Sequence, residues 1–492
     1  MRRLVWSKLS DADRKAALAR PRGRSDPALQ QAVRAIVDDV RARGWEAAAE
    51  HALRLDGAAP RRVAVQPIAE EARRTLGTEQ LRAIELARKN IAAFHKASLP
   101  AEHEVETMPG LVVRKVWRPL DRVGLYVPGG KTPLFSTLMM LAIPARAAGV
   151  GEILVATPPR PDGGLDPVVA LAADICGIAS IWTIGGAQAI AALAWGAGEI
   201  PAVPKICGPG NAWVAEAKTY AASLPGGPAI DLPAGPSELL VIADDAADPR
   251  LVAADLLSQA EHDAAAQVIL VTGSQALADA AQAELGEQLA ALPRQDTAAG
   301  ALENARLIVA ETLAEAVEIA NLYAPEHLSL AVADPDALLG QVRNAGAVFA
   351  GGCAAETFGD YLAGSSHVLP TDGAARAWGG ISVHSFLKSM TVQTVTGEAA
   401  RAIARPAAAL ARLEGLEAHA RAADARLLPP LPDREGLGVG RARAGSIPAS
   451  APTEPPQEAN ADAFAPTPAP SARIQRTMRG MVRRADLPGR GR

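Results

Sequence analysis

Aromatic residues are scarce in this sequence: Phe, Trp and Tyr together make up 3% of 492 residues. A core built on large rings is thereby excluded, and with Ala abundant the expectation is many close helix–sheet contacts between small side chains. Cysteine is scarcer still. Three occur (Cys176, Cys207 and Cys353), an odd number with no CxxC pair, which excludes a disulfide framework and fits a reducing compartment. No run of about 18 apolar residues exists to span a bilayer. The opening MRRLVWSKLSDADRKAAL is broken by charge too early for a signal-peptide apolar region. A cytoplasmic protein is therefore expected. The net charge of −4 argues against general binding to nucleic acid or membranes.

What is present is a repeated texture. DPALQQAVRAIVDDVRARGWEAAAEHALRLD opens on an Asp–Pro cap signal and keeps helical apolar spacing, and a second helix is predicted through EQLRAIELARKNIAAFHKA. From about Pro119 short apolar runs end in Gly-rich turns and lead into helical patterns, as in RVGLYVPGG, EILVATPP and SIWTIGGAQAIAALAWGAG. This alternation predicts an α/β fold of parallel sheets covered by helices. The expected organisation has an N-terminal helical arm (1–25) and a discontinuous first α/β domain (26–122 with 234–382). A second α/β domain (123–233) and a C-terminal helical segment (383–430) complete the fold. From 431 to 492 a Pro-, Ala- and Arg-rich tail without apolar periodicity reads as disordered.

The Gly turns invite a nucleotide reading. VGLYVPGGKTP misses the Walker pattern, because Gly124 stands one residue too far from Gly130-Lys131-Thr132. TIGGAQA and CGPGNAW place Gly at helix starts, which suits a pyrophosphate, yet neither reads GxGxxG and a plain tight turn explains each as well. In SQAEHD, Gln259 and His262 follow Asp255 by four and then three residues, which places all three on one face of a helix. Taken singly they read as a solvated stripe. ETFGDYLAGSSHVLP adds Asp360 and His367, and LEGLEAHARAAD adds Glu414 and His419. The set of imidazoles, carboxylate and amide oxygen suits zinc. In APEHLSL, adjacent Glu326 and His327 form a candidate acid–base couple. Cys353 reads more simply as a small buried residue than as a nucleophile.

Together these stretches resemble one family. IDLPAGPSELLVIADDAADPRLVAADLLSQAEHD is similar to the signature of the histidinol dehydrogenases, and VGLYVPGG, TIGGAQAIAALAWG, CGPGNAWV, YAPEHL, GDYLAGSSHVLPT and EGLEAH resemble that family's motifs in the same order, from about Ala28 to Leu428. The resemblance implies two Rossmann-like domains without GxGxxG. It implies zinc ligands at Gln259, His262, Asp360 and His419, and a catalytic couple at Glu326 and His327. Substrate contacts would come from Ser237, His367 and Glu414 besides His327 and the ligands, and NAD contacts from Tyr126, Gln188 and Asn211. Asp255 is then a neighbour. One departure is Ser366, where many members have Asn before the His, which puts a loop hydrogen bond in doubt.

The implied reaction oxidises L-histidinol through the aldehyde to L-histidine, the last step of histidine biosynthesis, with two NAD reduced in turn. His327 would be the general base and Glu326 the group that activates water, with zinc positioning the substrate. The resemblance also implies intertwined homodimers in which the helix carrying Glu414 and His419 completes the partner's site. Within the superfamily, zinc enzymes acting on sulfonated diols share the ligands and the Glu–His pair. Ser237, His367 and Glu414 favour the imidazole substrate. From another class, an idle scaffold with a basic tail is disfavoured by the presence of every implied residue.

Overall fold

A computed structural model describes residues 1–21, 26–129, 134–232 and 235–427. The tail 431–492, expected to be disordered, lies outside the described residues. Two six-stranded sheets and one three-stranded sheet organise the chain, an α/β architecture as expected. In the first sheet the strands run in the order Arg2–Val5, Arg306–Val309, Gln267–Thr272, Glu238–Ala243, His327–Ala331, Ala347–Ala350, all parallel. Because side chains alternate, Leu239, Val241 and Ala243 pack on helices of one face, while Leu240 and Ile242 pack on the other. Burial on both faces is why these strands read as unbroken apolar runs.

The second sheet runs Arg61–Ala64, Ser180–Thr183, Glu152–Thr157, Arg122–Tyr126, Lys205–Cys207, Ala229–Ile230. Its first strand is antiparallel to its neighbour. Helix Gly186–Trp195 packs through five buried alanines together with Gln188, Ile190 and Leu193, so small residues do much of the work that rings do elsewhere. Asp26 and Asp248 cap their helices as the Asp–Pro signals predict, each accepting a main-chain N–H at 2.9 Å.

Four expectations differ from what is observed; one is Cys353, read as buried, which is exposed. Residues 26–122, grouped by sequence with 234–382, instead divide between the other two sheets: Val33, Ile36 and Val37 share a core with Ile190 and Ile206, Arg61–Ala64 joins the second sheet's edge, and His103–Met108 with Leu111–Pro119 belong to the three-stranded sheet. The 1–25 arm is not wholly helical, since Arg2–Val5 pairs with Arg306–Val309. Nor is 383–430, where Leu387–Val395 pairs antiparallel with Leu111–Pro119, which pairs in turn with His103–Met108. These strands are short or mostly solvent-facing, and non-local pairing rather than local pattern decides them. Among the described residues no helix is long and apolar enough to cross a membrane.

Candidate active site

Most of the residues singled out by sequence gather in two regions, Glu414 and His419 excepted. The first lies at the amino edge of the first sheet. Leu239 stands opposite His327, so Glu238 and Glu326 meet where their strands begin. Helix Pro249–Ala260 runs back between two parallel strands and returns Gln259 to this edge. The helix stops at Ala260 with Glu261 as C-cap. His262 therefore lies in the following turn, not on the helical face implied by its spacing. Asp255 stays on the helix, its carboxyl pushed up to about 6 by burial. Glu356 and Asp360 sit one turn apart on the short helix Glu356–Tyr361.

The hydrogen bonds fix the state of both central imidazoles. His327 Nδ1 is 3.0 Å from the Glu238 carbonyl oxygen. A carbonyl only accepts, so Nδ1 carries the proton and the lone pair is on Nε2. That Nε2 is buried and unpartnered, 3.9 Å from Asp360 Oδ1. Glu326 Oε2 accepts the Glu238 main-chain N–H at 2.9 Å, and Glu326 and Glu356 each place a carboxyl oxygen 3.6 Å from His327 Nδ1. His367 is held likewise: Nδ1 donates to the Asp360 carbonyl at 3.0 Å, and Nε2 accepts from Thr137 Oγ1 at 2.9 Å. The Ser366 hydroxyl accepts the Val368 N–H at 3.1 Å, so a loop hydrogen bond does form at the departure from the family motif. Ser237 lines a small cavity with Arg20, Gln267 and Asp372, next in the chain to Glu238.

Burial dominates the electrostatics. It pushes the Glu326 and Glu356 carboxyls well above the usual carboxylate range and Asp360 up to about 7. It pulls His327 down to about 3 and His367 to about 4, which keeps both rings neutral. Three carboxyls this close cannot all ionise without a cation among them. Both amide atoms of Gln259 and one carboxyl oxygen of Glu356 are also buried without partners, a cost that a ligand would remove. The donors therefore fit a divalent metal. Ligand atoms of His327, Glu356 and Asp360 lie within 4.8 Å of one another, a group sharing only Asp360 with the set the resemblance implies. The single chain does not bring Glu414 or His419 here. Glu414 caps helix Gly397–Leu413, His419 lies on helix Glu417–Asp424, and both are exposed.

The second region is a cleft of about 390 Å³ at the carboxyl edge of the second sheet, where Tyr126, Gln188 and Asn211 all line one space with Asp56, Gly186 and Trp213. Two helices start there. Gly185 precedes Gly186–Trp195, and Asn211 caps Ala212–Ser223 by accepting N–H bonds from Trp213 and Val214. Helix N-termini at the carboxyl ends of parallel strands suit a phosphorylated ligand. The Tyr126 hydroxyl accepts the Gly186 N–H at 3.1 Å. Asp56 Oδ2 accepts from Gly185 N at 2.9 Å and from Gln188 Nε2 at 3.1 Å. Thr137, on helix Phe135–Ala148 of the second sheet's layer, meets His367 of the first region, so the first region abuts that helical layer.

Sequence reasoning missed Glu238, Glu356 and Asp56. Glu238 stood inside AGPSE, and the four-residue spacing of Glu356 and Asp360 was a readable signal. Nothing local marks Asp56.

Comparison with known proteins agrees with the motifs. The family model described as histidinol dehydrogenase matches residues 19–427. Histidinol dehydrogenase of Xanthomonas euvesicatoria pv. vesicatoria (strain 85-10) is 48% identical over 428 residues, covering 87% of this chain and 99% of the relative. That of Xylella fastidiosa (strain 9a5c) is 46% identical over 429 residues, with the same coverage. Among solved structures, histidinol dehydrogenase from Elizabethkingia anophelis superposes with a TM-score of 0.83 at 38% identity, covering 87% of this chain and 98% of that one.

Proposed function

The chain belongs to the histidinol dehydrogenase family, and on that premise we propose that it oxidises L-histidinol to L-histidine in two NAD-dependent steps, with one zinc ion per site. The observation that carries this reading is the state of His327, a buried neutral imidazole whose Nδ1–H is committed to the Glu238 carbonyl and whose Nε2 is free. A carbinol hydroxyl presented to Nε2 can give up its proton as hydride leaves the carbinol carbon. The imidazolium so formed has Glu326 and Glu356 at 3.6 Å as negative partners when either is ionised.

The aldehyde has no second hydride to lose until water adds. Glu326, when ionised, takes a proton from that water as the water oxygen bonds the carbonyl carbon, and the His327 imidazolium returns its proton to the carbonyl oxygen. The diol so formed then gives a hydroxyl proton to the regenerated His327 in the second oxidation. Gln259, His262 and Asp360 would hold the zinc, with His419 supplied by a second copy of the chain. When bound, zinc would fix the substrate's imidazole and amine nitrogens, and NAD would take up the hydride of each oxidation. His367, pinned by Thr137 and the Asp360 carbonyl, adds a rigid wall near Asp360. Tyr126, Gln188 and Asn211, with Asp56, would receive NAD in their cleft. A metabolic enzyme of this kind fits the expected cytoplasmic setting.

Dialysis against a strong chelator is expected to abolish NADH formation from L-histidinol, and added zinc to restore it. NADH formation indifferent to the chelator would remove zinc from this account. No NADH from the zinc-loaded protein would remove the substrate as well.

A further inference from the structure

We propose that Arg20 is a positioning residue for the Glu326–His327 couple, acting through Glu238. The inference rests on reading that couple as catalytic. Glu238 holds both partners with its own peptide: its N–H donates to Glu326 Oε2 at 2.9 Å and its carbonyl accepts from His327 Nδ1 at 3.0 Å. Whatever fixes Glu238 thus fixes the relative placement of the two groups.

Glu238 is fixed by its side chain. The Arg20 guanidinium donates to both of its carboxyl oxygens, Nε to Oε1 at 2.5 Å and Nη2 to Oε2 at 2.8 Å, and the Asp372 N–H donates to Oε1 at 2.8 Å. This is the planar fork that only an arginine can present. The same guanidinium reaches the other segment involved. Nη2 also donates to the carbonyls of Tyr323 and Ala324, at 2.8 and 3.2 Å, where helix Leu313–Tyr323 ends and Ala324 takes φ +56°. These carbonyls have no partner within the helix, and they lie just before Pro325-Glu326-His327. The guanidinium also stacks 4.0 Å over the Tyr323 ring, whose hydroxyl donates to Gln267. One side chain therefore ties the strand start that orients the couple to the turn that delivers it.

The plainer reading is a tether for the N-terminal arm. The arm has other anchors, however: Arg2–Val5 is paired in the sheet, and Trp6 and Ala17 are buried. A tether would not need four hydrogen bonds converging on the two segments that carry the couple.

The test compares Arg20→Met, Glu238→Gln, their double variant and Arg20→Lys with the unaltered zinc-loaded protein, reading kcat, KM for L-histidinol, zinc per chain and thermal midpoint. A misplacement of about 1 Å costs on the order of 100-fold in rate. Arg20→Met is therefore expected to lose roughly 30- to 100-fold in kcat, with KM and zinc content within about twofold of the unaltered protein. Arg20→Lys keeps the charge without the fork and should recover only part of the rate. The double variant leaves no charge stranded in the interior, so its midpoint should return toward the unaltered value while its kcat stays low. If Arg20→Met proves too unstable to purify, the double variant and Glu238→Gln carry the test. The proposal is overturned if these variants keep kcat within about twofold, if kcat returns together with the midpoint in the double variant, or if zinc and KM change in step with kcat. An unaltered protein that fails to oxidise L-histidinol would instead sink the functional reading itself.

Discussion

Replacing His327 by Asn is expected to lower kcat for L-histidinol oxidation by about 10³-fold, while zinc content and KM stay near their original values. Asn is chosen because its amide N–H can still donate to the Glu238 carbonyl, as Nδ1 does at 3.0 Å. The hydrogen bond that seats the residue survives, and what disappears is the Nε2 lone pair. In the proposed reaction both oxidations use that lone pair, so both should slow together and no aldehyde should accumulate. A loss of tenfold or less would mean another group takes the proton, with Glu356, also 3.6 Å from the ring, the first to suspect. Steady-state kinetics with metal analysis on the same preparation separate these outcomes.

The second large effect concerns His419. In the single chain it is exposed while Gln259 and Asp360 are buried, and the two helices and the turn joining them also expose Leu410, Leu413 and Leu416 at 65%, 83% and 42%. Exposed apolar residues clustered beside unused polar ones mark a surface meant to be covered. If a second copy covers it and receives His419, His419→Asn and His327→Asn proteins should each be nearly inactive alone. Mixed and re-equilibrated in equal amounts, about half the dimers would be hybrids, each with one intact site and one doubly altered site. Activity should then return to about a quarter of the unaltered level. If both residues serve the same chain's site, no hybrid contains an intact site and mixing restores nothing.

Much of the fold is legible in the sequence because buried parallel strands and their helices write local patterns. LLVIA and VILVT read as strands since both faces are covered, and Asp26 and Asp248 announce helix starts through a side chain and a following proline. Strand Leu387–Val395 was not legible, because most of its residues face solvent and its partner lies far back in the chain. For the same reason the sheet on which the helices after Asp26 pack is not legible: an amphipathic helix such as Pro27–Arg43 states that it packs, not upon what. At the site, Glu326 and His327 could be named because they are adjacent in a motif. Their working state could not. The tautomer of His327 depends on a carbonyl 89 residues away, and the Arg20 fork closes over 218 and 303 residues. Asp56 is placed through burial and aim, which single-sequence patterns do not record.

The measurement that bears most directly on the central claim is the amount of NADH formed from a limiting quantity of L-histidinol, with the final product identified. If His327 serves both oxidations and Glu326 activates the water between them, about two NADH form per histidinol and L-histidine is the product. One NADH per histidinol with free aldehyde released would contradict that claim. The Glu326–His327 arrangement would then support only the first oxidation.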